Sequence, residues 1–309
     1  MEIHPTPGNP APEGAVAVEV QTRDGISLRG ITAVLDDSRG TVVVIGGRGD
    51  FMERYFETMR DLMAMGYSVA GFDFRGQGGS QRQLANPYRN HVRKFSEYDE
   101  DLRAFMSQVV LPTCPGPYLV IGHSTGGSIV LRALSERNWF SGAAVTAPLI
   151  GLRYGGWPVP VVHILVFLAT HLGLGWMFLP GQRQTPLGRA DFPDNPLTSD
   201  RSRWGRDSGT LEAAPQLGSG APTFSWLRAA MKSTRLLKSW GGRTQLQCPV
   251  LIVAAGLDRV VDTEAIRRFA KRVPGVSLVW IREAQHEILT ETDAIRAQFL
   301  AAFKAFSNT

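Results

Sequence analysis

The chain has 309 residues, 43% apolar and 20% charged, enough to bury a full core, which excludes both a disordered chain and a disulfide-stapled miniprotein. That length fits one large domain carrying an insertion as well as it fits two domains. The net charge of +5 is unevenly spread, because residues 151–247 alone hold 11 Lys/Arg against 5 Asp/Glu; the basic excess points to an anionic membrane, an acidic substrate or nucleic acid, or is a solvated face. Cys114 and Cys248 stand far apart beside prolines, match neither a metal spacing nor a disulfide framework, and indicate a reducing compartment. Residues 1–14, MEIHPTPGNPAPEG, have no basic or apolar leader region and read as a flexible, frayed tail, which predicts a cytoplasmic protein.

After the tail, residues 15–22 alternate, Asp24-Gly25 turns, and residues 26–34 alternate again, which predicts a hairpin. The apolar run TVVVIGG (41–47) predicts a buried strand, followed by a helix over 53–65 with Tyr55, Met59, Leu62 and Met63 inward. A second such strand covers 67–73. A helix over 98–109 leads to the strand PYLVIGHS (117–124), a helix over 126–136 and a strand over 142–148. The same rhythm returns beyond residue 247, with strands at 249–256 and 276–281 and helices at 263–272 and 293–306. Such alternation predicts an α/β fold with a mostly parallel central sheet covered by helices on both faces.

Residues 151–247 break the rhythm with many Pro, Gly and Trp residues and read as a cap inserted into a core of residues 15–150 and 248–309. Within it, residues 159–180 are apolar for long enough to match a membrane span. Pro160, two histidines, later Gly and Pro breaks, and the separation of two halves of one sheet that a single crossing would cause all argue for a buried or membrane-resting lid helix instead. Residues 223–240 predict an amphipathic helix with Trp226, Leu227, Ala230, Met231 and Leu237 on one side and Arg228, Lys232 and Arg235 on another. That stripe serves either to cover the core or to rest on an anionic membrane. The arginines of this segment are interleaved with apolar residues rather than strung along a recognition element, so no nucleic-acid partner is expected.

Gly122-His123-Ser124-Thr125-Gly126 fits G-x-S-x-G between an apolar strand and an amphipathic helix, the setting of a nucleophile elbow; the glycines permit a sharp turn and Ser124 projects from a strained backbone. A serine hydroxyl needs a base and an orienting carboxylate. His4 lies in the tail, His123 in the elbow, and His163 and His171 in the lid; His91 has no evident carboxylate partner, whereas His286 follows the last strand and is the expected base. The acid should leave a strand end between serine and histidine. Asp258 meets this requirement, and its rival Asp262 suits the cap of the helix from Thr263. Two backbone donors for an oxyanion are expected from Thr125, after the nucleophile, and from Arg48, in Gly46-Gly47-Arg48-Gly49. That loop lacks the third glycine and ribose partner of a dinucleotide site. The glycine cluster FDFRGQGGS (72–80) reads as a shaped turn.

Together with GGRGDFMERYFE (46–57), FDFRGQGGSQR (72–82), HVRKFSEYDEDL (91–102), NPLTSD (195–200) and QHEILTETD (285–293), these residues resemble the α/β-hydrolase superfamily, specifically its monoacylglycerol lipase and bacterial lysophospholipase branch, from about residue 20 onward. The resemblance implies cleavage of an acyl ester of glycerol or a glycerophospholipid, with no metal and no cofactor, under an inserted cap. The chain departs from many members in starting its oxyanion loop with Gly46-Gly47 rather than His-Gly and in placing Thr125 where methionine is common. The expected partner is a lipid or lipid-like ester, with peripheral contact between the cap and the inner face of an anionic membrane. A carboxylesterase or thioesterase of soluble metabolites and a non-catalytic binding protein are the alternatives, and the oligomeric state stays open.

Overall fold

The computed structural model describes residues 1–181, 185 and 192–308. Its centre is an eight-stranded sheet of order β1-β2-β4-β3-β5-β6-β7-β8, built from β1 (Val16–Gln21), β2 (Ser27–Ala33), β3 (Thr41–Ile45), β4 (Ser68–Phe72), β5 (Tyr118–His123), β6 (Gly142–Thr146), β7 (Val250–Ala255) and β8 (Val276–Ile281). The hairpin β1–β2 is antiparallel to its neighbours, and every pairing from β4 to β8 is parallel. Continuous apolar strands follow from coverage on both faces. In β3, Val43 and Ile45 join the core on one face while Val42 and Val44 join the other, the period of two that a pleated strand imposes. Each such side chain contributes about 1.5–3 kcal/mol by leaving water.

The helices are α1 (Phe56–Ala64), α2 (Phe95–Phe105), the single turn α3 (Leu111–Thr113), α4 (Thr125–Leu134), α5 (Val159–His171), α6 (Arg201–Ala213), α7 (Phe224–Ser239), α8 (Thr263–Arg272) and α9 (Asp293–Phe306). The segment expected as one helix over 53–65 divides into a 3₁₀ turn, Met52–Tyr55, and α1; the Met52 amide leaves the helical pattern to donate to Asp73 at 2.9 Å. The helix expected over 98–109 starts earlier, where Glu97 accepts the Lys94 amide at 3.1 Å, and continues through a π turn, Met106–Val110.

Residues 1–14 do not fray. Asn9 is fully buried and donates to the Glu53 carbonyl at 2.7 Å, the His4 amide donates to the Glu53 carboxylate at 3.0 Å, and Ile3 and Ala11 pack against the core. The anchor is a buried ionic group that composition does not reveal. Arg29 reaches Glu53 at 2.7 Å and Asp73 at 2.8 Å and donates to the Glu2 carbonyl at 2.9 Å.

Among the described residues, no strand of the sheet lies between β6 and β7, where α5, α6 and α7 instead occur. α7 packs on α2, α4, α5 and α8. Its Trp226, Leu227, Ala230 and Leu237 are buried in the main core and Met231 packs at its edge, so the apolar stripe expected to serve either core or membrane covers the core. α5 is thirteen residues long and buries only Val166. The apolar run ends as a helix at His171, before Gly173 turns with φ of 76°. Among the described residues, no helix is long and apolar enough to cross a membrane.

Candidate active site

β5 ends at His123 and α4 begins at Thr125, leaving Ser124 at the bend with φ 50° and ψ −111°, a conformation that costs on the order of 1–3 kcal/mol. Its neighbours hold it there: the Ser124 amide donates to the Thr146 carbonyl at 3.0 Å, and the Ser124 carbonyl accepts from Ser128 at 3.1 Å and Leu149 at 2.9 Å. A Cβ at Gly126 would lie 2.4 Å from the Gly46 carbonyl oxygen, and one at Gly122 would lie 2.9 Å from Val130, so the flanking glycines are steric requirements.

His286 Nε2 stands 2.9 Å from Ser124 Oγ, and Nδ1 stands 2.7 Å from Asp258 Oδ2. All three residues are buried. Asp258 Oδ1 accepts the amides of Val260 and Val261 at 2.7 and 2.9 Å. Burial pushes the Asp258 carboxyl up, but His286 and those amides outweigh it and hold it below the usual carboxylate value. An ionised carboxylate only accepts, so Nδ1 carries a proton and Nε2 faces the serine hydroxyl as acceptor. Asp262 is elsewhere: it caps α8 by accepting the Ala265 amide at 3.1 Å.

The other histidines are placed apart from this chain of bonds. His123 points to Thr146 Oγ1 at 3.1 Å, and burial together with the nearby His286 pushes its pKa down to about 3, so it stays neutral. His91 pairs with Thr223 at 3.0 Å, and His163 lies edge-on to Tyr154.

The loop after β3 faces Ser124. Within it, the Gly47 amide is taken by Asp50 and Tyr55, and the Gly49 amide by Gln77 Oε1 at 3.0 Å. The Arg48 amide has no acceptor among the described residues, and Thr125, as first residue of α4, has no carbonyl one turn back. These two amides are therefore the donors left available beside the serine. Gln77 also donates to the Gly47 carbonyl at 2.8 Å, so the glycine cluster after β4 braces this loop as well as turning. The sequence carried that Gln between glycines but no sign of what it would touch.

Arg54 was also not legible. Partly buried against the site, it bonds Asp50 in the loop and Glu287 beside His286, and its Nε reaches Asp207 of α6 at 2.8 Å. Burial would raise the Asp50 carboxyl, but Arg54, His123 and Tyr55 hold it low, whereas burial prevails at Glu287 and raises it. One guanidinium thus ties the loop, the histidine and α6 together. The NPLTSD and QHEILTETD segments meet here too: the Glu287 amide donates to the Leu197 carbonyl at 2.8 Å, and buried Glu291 accepts Gln285 at 2.8 Å and Ser199 at 3.1 Å.

Ser124 and His286 open into a cavity of about 590 Å³, walled by Leu149 and Leu152, by Val166 of α5, Leu211 of α6 and Trp226 of α7. That volume fits an organic chain of drug size or longer. A serine paired to a histidine, a histidine paired to a carboxylate and two free amides are the parts that acyl transfer requires.

The family model described as "Serine aminopeptidase, S33" matches residues 36–293. The chain is similar to lysophospholipase L2 of Escherichia coli, 32% identical over 303 residues that cover 92% of this chain and 85% of that protein. It is also similar to a monoacylglycerol lipase of Mycolicibacterium smegmatis, 26% identical over 263 residues covering 83% of this chain and 84% of the other. Among solved structures, a soluble variant of monoglyceride lipase from Saccharomyces cerevisiae in complex with a substrate analog aligns with a TM-score of 0.72 and 20% identity over 94% of this chain and 95% of the other, which shows the fold. By sheet order, site placement and these matches, the chain belongs to the serine aminopeptidase S33 family within the α/β-hydrolase superfamily.

Proposed function

We propose that the chain is a serine ester hydrolase that cleaves a long-chain acyl ester of a lysophospholipid or acylglycerol through an acyl-enzyme on Ser124. The observation that carries this reading is the continuous bond chain Ser124–His286–Asp258 at the floor of a cavity with apolar walls. His286 takes the Ser124 proton as Oγ attacks the ester carbonyl, and Asp258 stabilises the imidazolium. The tetrahedral oxyanion receives the Arg48 and Thr125 amides. Collapse breaks the bond to the glycerol oxygen, which leaves with the proton from His286; water then repeats the sequence and frees the fatty acid. The relatives named lysophospholipase and monoacylglycerol lipase support a lipid ester as substrate.

In this reading residues 15–150 and 248–309 are the catalytic core and residues 151–247 the cap. The cap also contacts the membrane, through α5 and the turn after it rather than through α7. Ile164, Phe167 and Leu172 are 58%, 56% and 71% exposed, an apolar surface of the kind that marks a membrane or partner site.

Hydrolysis of lysophospholipids, monoacylglycerols and short-chain soluble esters, measured beside fluorophosphonate labelling of Ser124, tests the reading. A rate that rises with acyl length supports it. Labelling with activity confined to short soluble esters would replace it with a metabolite esterase, and failure to label would replace it with a binding protein.

A further inference from the structure

The charged side chains lining the cavity divide into two groups. Asp50, Asp207 and Glu287 converge on Arg54. Arg48, Arg153 and Arg259 line the same cavity, and among the described residues none of them meets a carboxylate. Each leans instead on a backbone carbonyl: Arg48 on Gly220 at 3.2 Å, Arg153 on Asp258 at 2.7 Å and Arg259 on Asn195 at 3.2 Å. Arg48 also lies over the Trp226 ring, 5.5 Å from its centroid.

Arg48 feels the buried Asp50 carboxylate, and Arg153 and Arg259 are exposed to solvent, so all three keep guanidinium donors that an anion entering the cavity can take. Their positions say which part of a ligand would supply it. Arg48 contributes its own amide beside Ser124, Arg259 follows Asp258 in sequence, and Arg153 is bonded to the Asp258 backbone. All three belong to loops beside Ser124 and Asp258, and aliphatic side chains line the cavity both from these loops, Leu149, Leu152, Val260 and Val261, and from α5 and α6. In a glycerophospholipid the phosphate sits on the same short glycerol unit as the acyl ester, so an ester at Ser124 brings a phosphate within reach of these loops.

We propose that Arg48, Arg153 and Arg259 form a phosphate subsite that selects a lysophospholipid over a neutral acylglycerol. The inference rests on the lipid-ester reading above and assigns its head group. The planar guanidinium fork matches phosphate oxygens two at a time, and a charge-assisted hydrogen bond of this kind is worth roughly tenfold in affinity.

The test compares two substrates with one oleoyl chain, monooleoyl glycerol 3-phosphate and monooleoylglycerol, each diluted in neutral detergent micelles. The parent should show kcat/KM at least about tenfold higher for the phosphate lipid, and glycerol 3-phosphate should compete better than inorganic phosphate. The Arg153→Gln, Arg259→Gln double variant and the Arg48→Gln variant should each lower the ratio of the two kcat/KM values about tenfold or more. A ratio cancels a general loss of folded enzyme. Equal rates on both lipids in the parent, or an unchanged ratio in all variants, overturns the subsite. So does acceleration of monooleoylglycerol cleavage by a non-hydrolysable anionic diether lipid to the rate of the phosphate substrate, which would mean that the arginines read surface charge. Absence of cleavage of either lipid by enzyme whose Ser124 still labels would defeat the lipid-ester reading itself, an outcome distinct from equal rates.

Discussion

α5 and α7 lie against each other in the inserted segment and obey opposite rules. α5 is the apolar one, VPVVHILVFLATH, yet buries only Val166; α7 carries Arg228, Lys232, Arg235 and Lys238 and yet buries seven side chains. Burial follows position rather than mean hydropathy. α7 sits between α5 and the helices over the sheet, so its amphipathic stripe meets the core and its charges point out. α5 packs on α7 and meets Tyr154 through His163, while Ile164, Phe167 and Leu168 stay about half exposed or more. The difference teaches that α7 joins this segment to the helices over the sheet, whereas α5 turns its apolar side chains to the surroundings.

Seven variants would break or sharpen that division. The largest effect is expected where core chemistry serves every substrate: Ser124→Ala should lower turnover of soluble and lipid esters alike by roughly 10⁴-fold or more and abolish fluorophosphonate labelling, with the circular dichroism unchanged. His286→Ala should match it. Asp258→Asn should follow closely, while Asp262→Asn should leave the rate near normal and the stability little changed, because asparagine accepts the α8 cap bond as aspartate does; the reverse pattern would exchange the two carboxylates.

A substitution on α5 should instead separate substrates. Changing Ile164, Phe167 and Leu168 to serine should slow hydrolysis of long-chain lipid in vesicles about a hundredfold, since each removes roughly 1 kcal/mol or more of apolar transfer, and should leave cleavage of a soluble short-chain ester unaltered. Equal losses on both substrates would show that this face supports the cavity rather than a membrane. A smaller effect is expected on α7: replacing Arg228, Lys232 and Arg235 by glutamine should change sedimentation with anionic vesicles little, and a salt-sensitive loss near about 1 kcal/mol per charge would move the membrane contact from α5 to α7.

The smallest effect concerns the seam between α6 and the core. Glu57 on α1 receives Arg203 at 2.6 Å and Arg206 from α6, and Arg296 from α9 at 2.9 Å. Burial raises its carboxyl, but these guanidinium groups prevail and hold the pKa at about 2, against the usual 4.5. A depressed folded pKa stabilises above the unfolded value and is lost as pH falls through the folded one. The midpoint of thermal unfolding should therefore drop between pH about 4.5 and about 2 in the parent, and Glu57→Gln should flatten this drop while lowering stability at neutral pH. A parallel fall in both proteins would place the acid-sensitive contact elsewhere.

The sheet and its helices could be read from the chain because buried parallel strands are runs of Val, Ile and Ala and their helices repeat at 3.6 residues, signals that survive without neighbours. The serine, histidine and aspartate were equally legible, since each stands at a strand exit and the elbow tolerates only glycine at positions 122 and 126. What misled was composition without position. Pro and Gly in residues 1–14 suggested a loose tail, but the Arg29, Glu53 and Asp73 group gives that segment fixed partners.

The sequence by itself determined the α/β architecture and singled out Ser124, His286 and Asp258, which the fold brings into hydrogen-bond contact, because strand ends and local spacing are written along the chain. Tertiary structure alone decided the partners of charge. Arg54 stands four residues from Asp50 but 153 from Asp207 and 233 from Glu287, and Gln77 stands 30 from Gly47, and nothing in a linear pattern says which guanidinium is neutralised and which is left open. Only folding separates the paired arginine from the three unpaired ones at the cavity, since an ion pair depends on distances of a few ångströms that adjacency in sequence does not encode.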